Sequence, residues 1–169
     1  EEIKELKFRA RGRLAELDGR IGGIAYTEGE APWGVPCDVA MPCATQNEID
    51  AEAAAALVEH GLMAVVEGAN MPCTEEAIEC FREHRVLFAP GKAANAGGVA
   101  VSGLEQTQNV ARVSWPRNEV DRRLKEIMRD IHDKCTHEME GDGGNNYLDA
   151  ANRAGFRKVA DAMLAYGVV

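Results

Sequence analysis

The sequence has no run of the roughly 18 apolar residues that a membrane-spanning helix requires, and its first residues are charged, unlike those of a secretory signal peptide. It also lacks an excess of basic residues. The formal net charge of −9 disfavours nucleic-acid binding, because contacts to phosphates would need a basic face. We therefore expect a soluble, cytoplasmic protein that binds neither membranes nor nucleic acids.

The cysteines give no sign of a disulfide framework or a metal site. There are five of them, an odd number, and they include no C-x-x-C pair, so we expect reduced thiols. Cys43 follows Pro42 at the end of a predicted strand, but no histidine lies near it in sequence to activate the thiol. The four histidines lie in contexts typical of surface or helix-capping roles, and we assign none of them as an acid or base.

Short apolar runs alternate with helical stretches along the chain. Strands are predicted at four runs: Ile24–Tyr26, Val39–Met41, Ala64–Val66 and Val86–Phe88. The last three precede helical stretches, and this order predicts an α/β fold with a parallel sheet and right-handed crossovers. We expect the first of these helices to begin near Asn47 or Asp50 and the second at Thr74.

Towards the end of the sequence, apolar residues recur at three- and four-residue steps, which predicts two long amphipathic helices. We therefore divide the chain into an α/β part, residues 1–113, and a helical tail, residues 114–169. Amphipathic helices need a surface to cover.

Three of the predicted strands are followed by small and polar residues, in segments 42–47, 67–72 and 89–92. In parallel α/β sheets, ligands bind outside the carboxyl ends of the strands. Carboxamide and hydroxyl groups at that edge suit recognition of a planar amide and a ribose. Ordinary turn chemistry is the alternative, since Asn, Gly and Pro are common in loops, but the recurrence in three loops favours a pocket.

Two adjacent glycines, Gly97 and Gly98, lie in the first turn of the third predicted helix. Each costs roughly 1 kcal/mol relative to alanine, which implies that something approaches the backbone closely there. On a continuous helix, Asn95, Val99 and Ser102 fall within about 60° of one another and would form a face for a small polar ligand. The alternative is a tight helix–helix contact, with Ser102 bonded to its own backbone.

Several longer blocks occur in order along the chain. They are PCATQNE at 42–48, EGANMP at 67–72, APGKAANAGGV at 89–99 and SGLE at 102–105, followed by shorter matches up to residue 163. In order and spacing these blocks resemble the glutamate dehydrogenase family (Glu/Leu/Phe/Val dehydrogenases), from about residue 24 onward. The resemblance implies a partial Rossmann-like, doubly wound parallel sheet, which is the second half of a dinucleotide-binding domain, plus C-terminal helices that pack on the α/β part.

The first half of such a domain has no counterpart in the sequence. The G-x-G-x-x-G turn that opens its first helix is absent, and no segment resembles the family's separate substrate domain, which carries the catalytic lysine and aspartate. We therefore expect the C-terminal part of an NAD(P)-dependent enzyme, with no catalytic residue of its own and no activity alone. The blocks are more similar to the NADP-linked branch, although the strand that selects the 2′-phosphate is absent.

The resemblance also implies roles for individual residues. Five would line the nicotinamide side of the cofactor or approach its ribose or carboxamide: Ala44, Thr45, Gln46, Asn70 and Asn95. Val99 and Ser102 would face the substrate, glutamate or 2-oxoglutarate, with the Ser102 hydroxyl bonded to the substrate's side-chain carboxylate. The resemblance does not make Lys92 the catalytic lysine.

Three functions remain open at this point. The first is the C-terminal segment of a glutamate dehydrogenase, which by resemblance would assemble as a homo-hexamer. The second is a truncated, non-catalytic homologue that binds a nucleotide or a partner subunit. The third is a structural interaction module whose tail helices dock on another chain. An adjoining glycine-rich fingerprint and a substrate domain would establish the first.

Overall fold

The structure is a computed structural model that describes residues 1–19, 21–23, 26–140 and 146–167. Contacts between residues divide the chain into two compact units, Glu1–Pro32 and Trp33–Val169. No helix within the described ranges is both long enough and apolar enough to cross a membrane.

The first unit contains short helical turns. Helix α1, Glu2–Lys4, continues into a π-helical segment, Glu5–Ala10, and a 3-10 turn follows at Leu14–Leu17. The strand predicted at Ile24–Tyr26 depends on residues 24 and 25, which lie outside the described residues.

The second unit is built on a three-stranded parallel sheet, with the strands in the order β1, β2, β3. The strands are β1 Val39–Ala40, β2 Ala64–Val66 and β3 Leu87–Ala89. Val65 pairs with Ala40 on one side and with Phe88 on the other. The parallel sheet predicted from the sequence is confirmed.

The third strand begins one residue later than predicted. Val86, the first residue of the predicted strand, donates its backbone N–H to the Phe81 carbonyl (2.9 Å) and so belongs to the turn that ends the preceding helix. The strand begins at Leu87, whose N–H bonds to the Met63 carbonyl beside it (3.0 Å). Strand β1 is one residue shorter than predicted and ends at Ala40.

Both helices between the strands begin after a predicted N-cap. Helix α2, Ala51–Glu59, follows Asp50, whose carboxylate accepts a hydrogen bond from a first-turn backbone N–H (2.9 Å). Helix α3, Glu75–Glu83, follows Thr74, whose hydroxyl accepts a similar bond (3.3 Å). Of the two candidates for the first cap, Asp50 is the one used, and Asn47 lies in the preceding loop.

The hydrophobic core lies between the sheet and these two helices. Phe81 of α3 is fully buried and stacks on Phe88 of β3, with ring centroids 6.2 Å apart. The other buried members of this cluster are Ala40, Ile49, Ala54, Leu57, Leu62, Val65, Cys73, Ala77 and Val86. Val39 and Leu87 point to the opposite face of the sheet and are 47% and 61% exposed. The described residues therefore bury the sheet mainly on one face.

The helices that follow the sheet include the predicted tail. Helix α4, Gly91–Ala94, is a single turn, and a two-residue break separates it from α5, Gly97–Ala111. The third predicted helix is thus broken into two. Helices α6, Arg117–Glu140, and α7, Tyr147–Tyr166, are the two long helices predicted for the tail, and they pack against each other.

Tyr147 joins α7 to α6 at the start of α7. Its ring stacks on His132 of α6 with centroids 5.8 Å apart, and its hydroxyl oxygen lies 3.3 Å from His132 Nδ1. Burial, and to a smaller extent the neighbouring Cys135, raises the pKa of Tyr147 from 10.0 to about 12. The neutral phenol is therefore favoured in the folded protein.

We expect the free energy of unfolding to fall as the pH rises from 10.0 towards 12, because the folded protein holds the Tyr147 proton more tightly than the unfolded chain does. This stabilising effect is complete below pH 10.0 and is lost as the pH passes the folded-state pKa. Denaturant unfolding of the wild type and of Tyr147→Phe over this range measures the effect, and the variant should lose less stability. Tyr166→Phe, at an exposed position, is the matched control. Equal pH dependence in all three proteins would contradict the expectation.

Candidate functional site

The carboxyl ends of the strands meet at one edge of the sheet, where backbone hydrogen bonds join the loops that follow β1 and β2. The N–H groups of Gly68 and Ala69 both bond to the Pro42 carbonyl (2.9 and 3.0 Å). The Asn47 N–H bonds to the Met71 carbonyl (2.9 Å). These two loops therefore lie side by side.

Two clefts open at this edge, and Asn70 lines both of them. The first, of about 390 Å³, lies between the loops after β1 and β2 and includes Ala44, Thr45 and Gln46. The second, of about 790 Å³, lies between the loops after β2 and β3 and the start of α7, and includes Asn95. The structure thus brings to one edge of the sheet the five residues that the family resemblance implies as cofactor contacts.

Glu48 holds the loop that lines the first cleft. Its Oε1 atom accepts a hydrogen bond from the Ala44 N–H (2.9 Å), and its carbonyl oxygen accepts one from the Trp33 indole N–H (2.8 Å). At the floor of the cleft, a Cβ atom at Gly68 would lie 2.4 Å from the Cys43 sulfur, so a side chain there would displace the thiol. This role of Glu48 was not predicted from the sequence, although the residue lies within the PCATQNE block.

The side-chain amides of Asn70 and Asn95 form a pair in the second cleft. Asn95 Nδ2 donates to Asn70 Oδ1 (2.8 Å) and to the Ala69 carbonyl (3.0 Å). Within the described residues, neither Asn70 Nδ2 nor Asn95 Oδ1 has a hydrogen-bond partner. The pair therefore offers a ligand one donor and one acceptor, held next to each other.

Asn95 does not share a helix face with Val99 and Ser102, contrary to the prediction. It lies in the break between α4 and α5, where its side-chain amide donates a hydrogen bond to the Ala69 carbonyl in the loop after β2. Val99 and Ser102 lie in α5, and both are exposed. The Ser102 hydroxyl lies 3.4 Å from the Gly98 carbonyl of its own helix, as the alternative explanation of this segment required.

The two adjacent glycines have different surroundings. A Cβ atom at Gly97 would lie 3.2 Å from a methyl group of Leu124 and 3.4 Å from the Met128 sulfur, both on α6. A Cβ atom at Gly98 would meet no other atom within 4 Å. The close helix–helix contact thus explains Gly97, whereas the backbone at Gly98 is open to solvent or to a ligand.

Lys92 connects the segment after β3 to the tail. Its Nζ atom donates a hydrogen bond to Asn152 Oδ1 of α7 (2.5 Å). The side chain also lines the second cleft. The structure therefore gives Lys92 a contact that joins the segment after β3 to α7.

Comparison with known proteins identifies the family. Residues 1–167 match the sequence model of the glutamate/leucine/phenylalanine/valine dehydrogenases. The chain belongs to this dehydrogenase family. Its three-stranded parallel sheet and terminal helices are accordingly a partial Rossmann-like fold, as predicted.

Relatives of this dehydrogenase chain are much longer than the chain itself. It is 58% identical over 166 residues to the NADP-specific glutamate dehydrogenase of Salmonella typhimurium, and 56% identical to that of Escherichia coli. The match covers 98% of the chain and 37% of each relative. Among solved structures, glutamate dehydrogenase of Plasmodium falciparum has a TM-score of 0.89 and 44% identity, over 98% of this chain and 36% of that one. The chain therefore spans little more than a third of its relatives' length.

The cysteines at this edge of the sheet differ in accessibility. Cys73 is buried, and this burial, followed by the negative charge of Glu67, raises the pKa of its thiol well above the ordinary value of 9.0. Cys43 is exposed and lines the first cleft.

We expect an aromatic disulfide reagent to modify Cys43 rapidly and to leave Cys73 unmodified in the folded protein, even at pH 9.0, because the reacting species is the thiolate. Mass spectrometry of the labelled peptides, with and without denaturant, measures this difference. Cys43→Ser should remove the rapidly labelled peptide, and Cys73→Ser should not. Equal labelling of Cys73 and Cys43 in the folded chain would contradict the buried position.

Proposed function

We propose that this chain is the C-terminal part of a glutamate dehydrogenase, which interconverts glutamate and 2-oxoglutarate plus ammonia by hydride transfer with NADP or NAD. The Asn70–Asn95 pair carries this proposal, because it offers one donor and one acceptor side by side. A primary carboxamide, such as that of nicotinamide, needs one donor and one acceptor: its oxygen would accept from Asn70 Nδ2, and its NH₂ group would donate to Asn95 Oδ1.

The first cleft would hold the neighbouring part of the cofactor. Ala44, Thr45 and Gln46 line this cleft together with Asn70, so a ligand whose carboxamide meets the asparagine pair could extend along this loop. When bound, the cofactor supplies or accepts the hydride, and the protein residues orient its ring and limit the access of water. NADP is favoured over NAD, because the relatives from Salmonella typhimurium and Escherichia coli are named NADP-specific.

Val99 and Ser102 would form one wall of the substrate site. A serine hydroxyl can donate to the side-chain carboxylate of glutamate, and an exposed valine can pack against its aliphatic stem. The substrate's charge also needs a cation, which the family resemblance places in the substrate domain. The proposal therefore treats residues 1–169 as one part of the active enzyme.

The remaining elements of the proposal also follow from the family resemblance. They are a homo-hexameric, cytoplasmic enzyme and a division of this chain into the second half of a cofactor domain, residues 1–113, and packed C-terminal helices, residues 114–169. The contact of Gly97 with Leu124 and Met128 supports that packing, because it crosses the proposed boundary.

The Asn70→Asp substitution tests cofactor recognition in the complete enzyme that carries this segment. It keeps an oxygen that accepts from Asn95 and replaces the donor that would face the cofactor with a negatively charged acceptor. Loss of a hydrogen bond with a buried partner left unsatisfied costs about 1–3 kcal/mol, so we expect the KM for NADPH to rise roughly five- to a hundredfold. The KM for 2-oxoglutarate should change little. An unchanged KM for NADPH would contradict the assigned carboxamide site.

The Ser102→Ala substitution should give the opposite pattern. Removing one hydrogen bond to a charged carboxylate costs about 1.5–3 kcal/mol, so the KM values for glutamate and 2-oxoglutarate should rise roughly ten- to a hundredfold. The KM for the cofactor should remain close to that of the wild type. A raised cofactor KM with an unchanged glutamate KM would show that α5 faces the other ligand. Absence of turnover in the complete wild-type polypeptide would favour the non-catalytic homologue.

A further inference from the structure

Glu67 is the one charged side chain that is buried among the described residues, with 5% of its surface exposed. It directly follows β2, at the edge of the sheet where the two clefts open. Its backbone N–H bonds to the Ala89 carbonyl of β3 (3.0 Å), so the residue starts at a fixed place in the sheet. A carboxylate in such a place loses its hydration, and it must be compensated by local hydrogen bonds.

The two carboxylate oxygens of Glu67 bond to two different loops. Oε2 accepts a short hydrogen bond from the Gly91 N–H (2.7 Å), at the start of the segment after β3. Oε1 accepts a longer one from the Cys73 N–H (3.4 Å), at the end of the loop after β2. No lysine or arginine forms an ion pair with Glu67 in the described part of the chain. Among the described residues, the carboxylate therefore accepts hydrogen bonds from two backbone N–H groups and is not paired with a cation.

The bond to Gly91 fixes the distance between the two loops that carry the asparagine pair. A Cβ atom at Gly91 would lie 2.9 Å from the Ala69 carbonyl and 3.2 Å from Asn95 Nδ2, so these segments are in close contact. Asn95 reaches both Ala69 and Asn70 from the turn that begins at Gly91. A shift of Gly91 would move Asn95 relative to Asn70.

We propose that Glu67 is a positioning residue for cofactor binding: its carboxylate holds Gly91 against the loop after β2 and thereby sets the Asn70–Asn95 pair in the arrangement that receives the carboxamide. This inference rests on the proposed function for the identity of the ligand. The geometry of the pair itself is a property of the 169-residue chain and is measurable without a ligand.

Two substitutions at Glu67 and one control separate positioning from stability. Glu67→Leu has a similar volume and removes both acceptors. Glu67→Gln keeps one oxygen for the short bond to Gly91 and loses only the longer bond to Cys73. Leu57→Ala opens the core beneath α2, away from the loops, and serves as the control for lost stability.

In the complete enzyme, we expect Glu67→Leu to raise the KM for NADPH roughly tenfold or more, since it removes hydrogen bonds to a charged group. The KM for 2-oxoglutarate should change much less. The Glu67→Gln variant should retain most of the wild-type affinity for the cofactor. Leu57→Ala should lower the Tm and leave both KM values unchanged. If Glu67→Leu lowers the Tm with no more effect on the KM for NADPH than Leu57→Ala has, the positioning role is wrong.

The isolated chain gives a second measurement that does not depend on activity. In ¹H–¹⁵N NMR spectra, the Gly91 amide and the Asn95 side-chain NH₂ should be protected from exchange in the wild type and in Glu67→Gln, and should lose that protection in Glu67→Leu. Unchanged Asn95 signals in Glu67→Leu would overturn the inference. If the complete wild-type enzyme shows no glutamate dehydrogenase turnover, the proposed function fails, and these signals still decide whether Glu67 positions the pair.

Discussion

The close approach of the loops at the carboxyl edge of the sheet is the constraint on which the candidate site depends. Peptide groups make most of the contacts: two N–H groups share the Pro42 carbonyl, and Gly91 donates to the Glu67 carboxylate. Side chains at Gly68 or Gly91 would occupy the space in which neighbouring loops meet. The polar groups of the candidate site therefore lie on backbone that packs on the core and is held by hydrogen bonds between the loops.

Those parts of the fold that depend on local sequence were predictable. The N-cap at Thr74 is predictable, and Asp50 is one of the two candidates for the other cap, because short polar side chains before a helical stretch satisfy its first N–H groups. The parallel sheet followed from apolar strands alternating with helices. The meeting of small and polar residues at one sheet edge followed from this topology, since parallel strands end on the same side.

The parts that depend on contacts between distant residues were not predictable. The face proposed for Asn95, Val99 and Ser102 assumed one continuous helix, whereas the amide of Asn95 bonds to residues 25 and 26 positions earlier and lies in a helix break. No helical periodicity contains that information. The burial of Glu67 was also not predictable, because a glutamate that follows a strand is typical of an exposed loop. Only the tertiary structure buries it.

The one-sided burial of the sheet has a consequence for the behaviour of these residues in water. Parallel sheets are normally covered on both faces, yet Val39 and Leu87 remain about half exposed here. The match covers only 37% of the length of the Salmonella typhimurium relative. The rest of such a polypeptide is long enough to supply a second layer. Without such a layer, an apolar sheet face in contact with water favours self-association, so these 169 residues would be less soluble alone than within a longer polypeptide that covers that face.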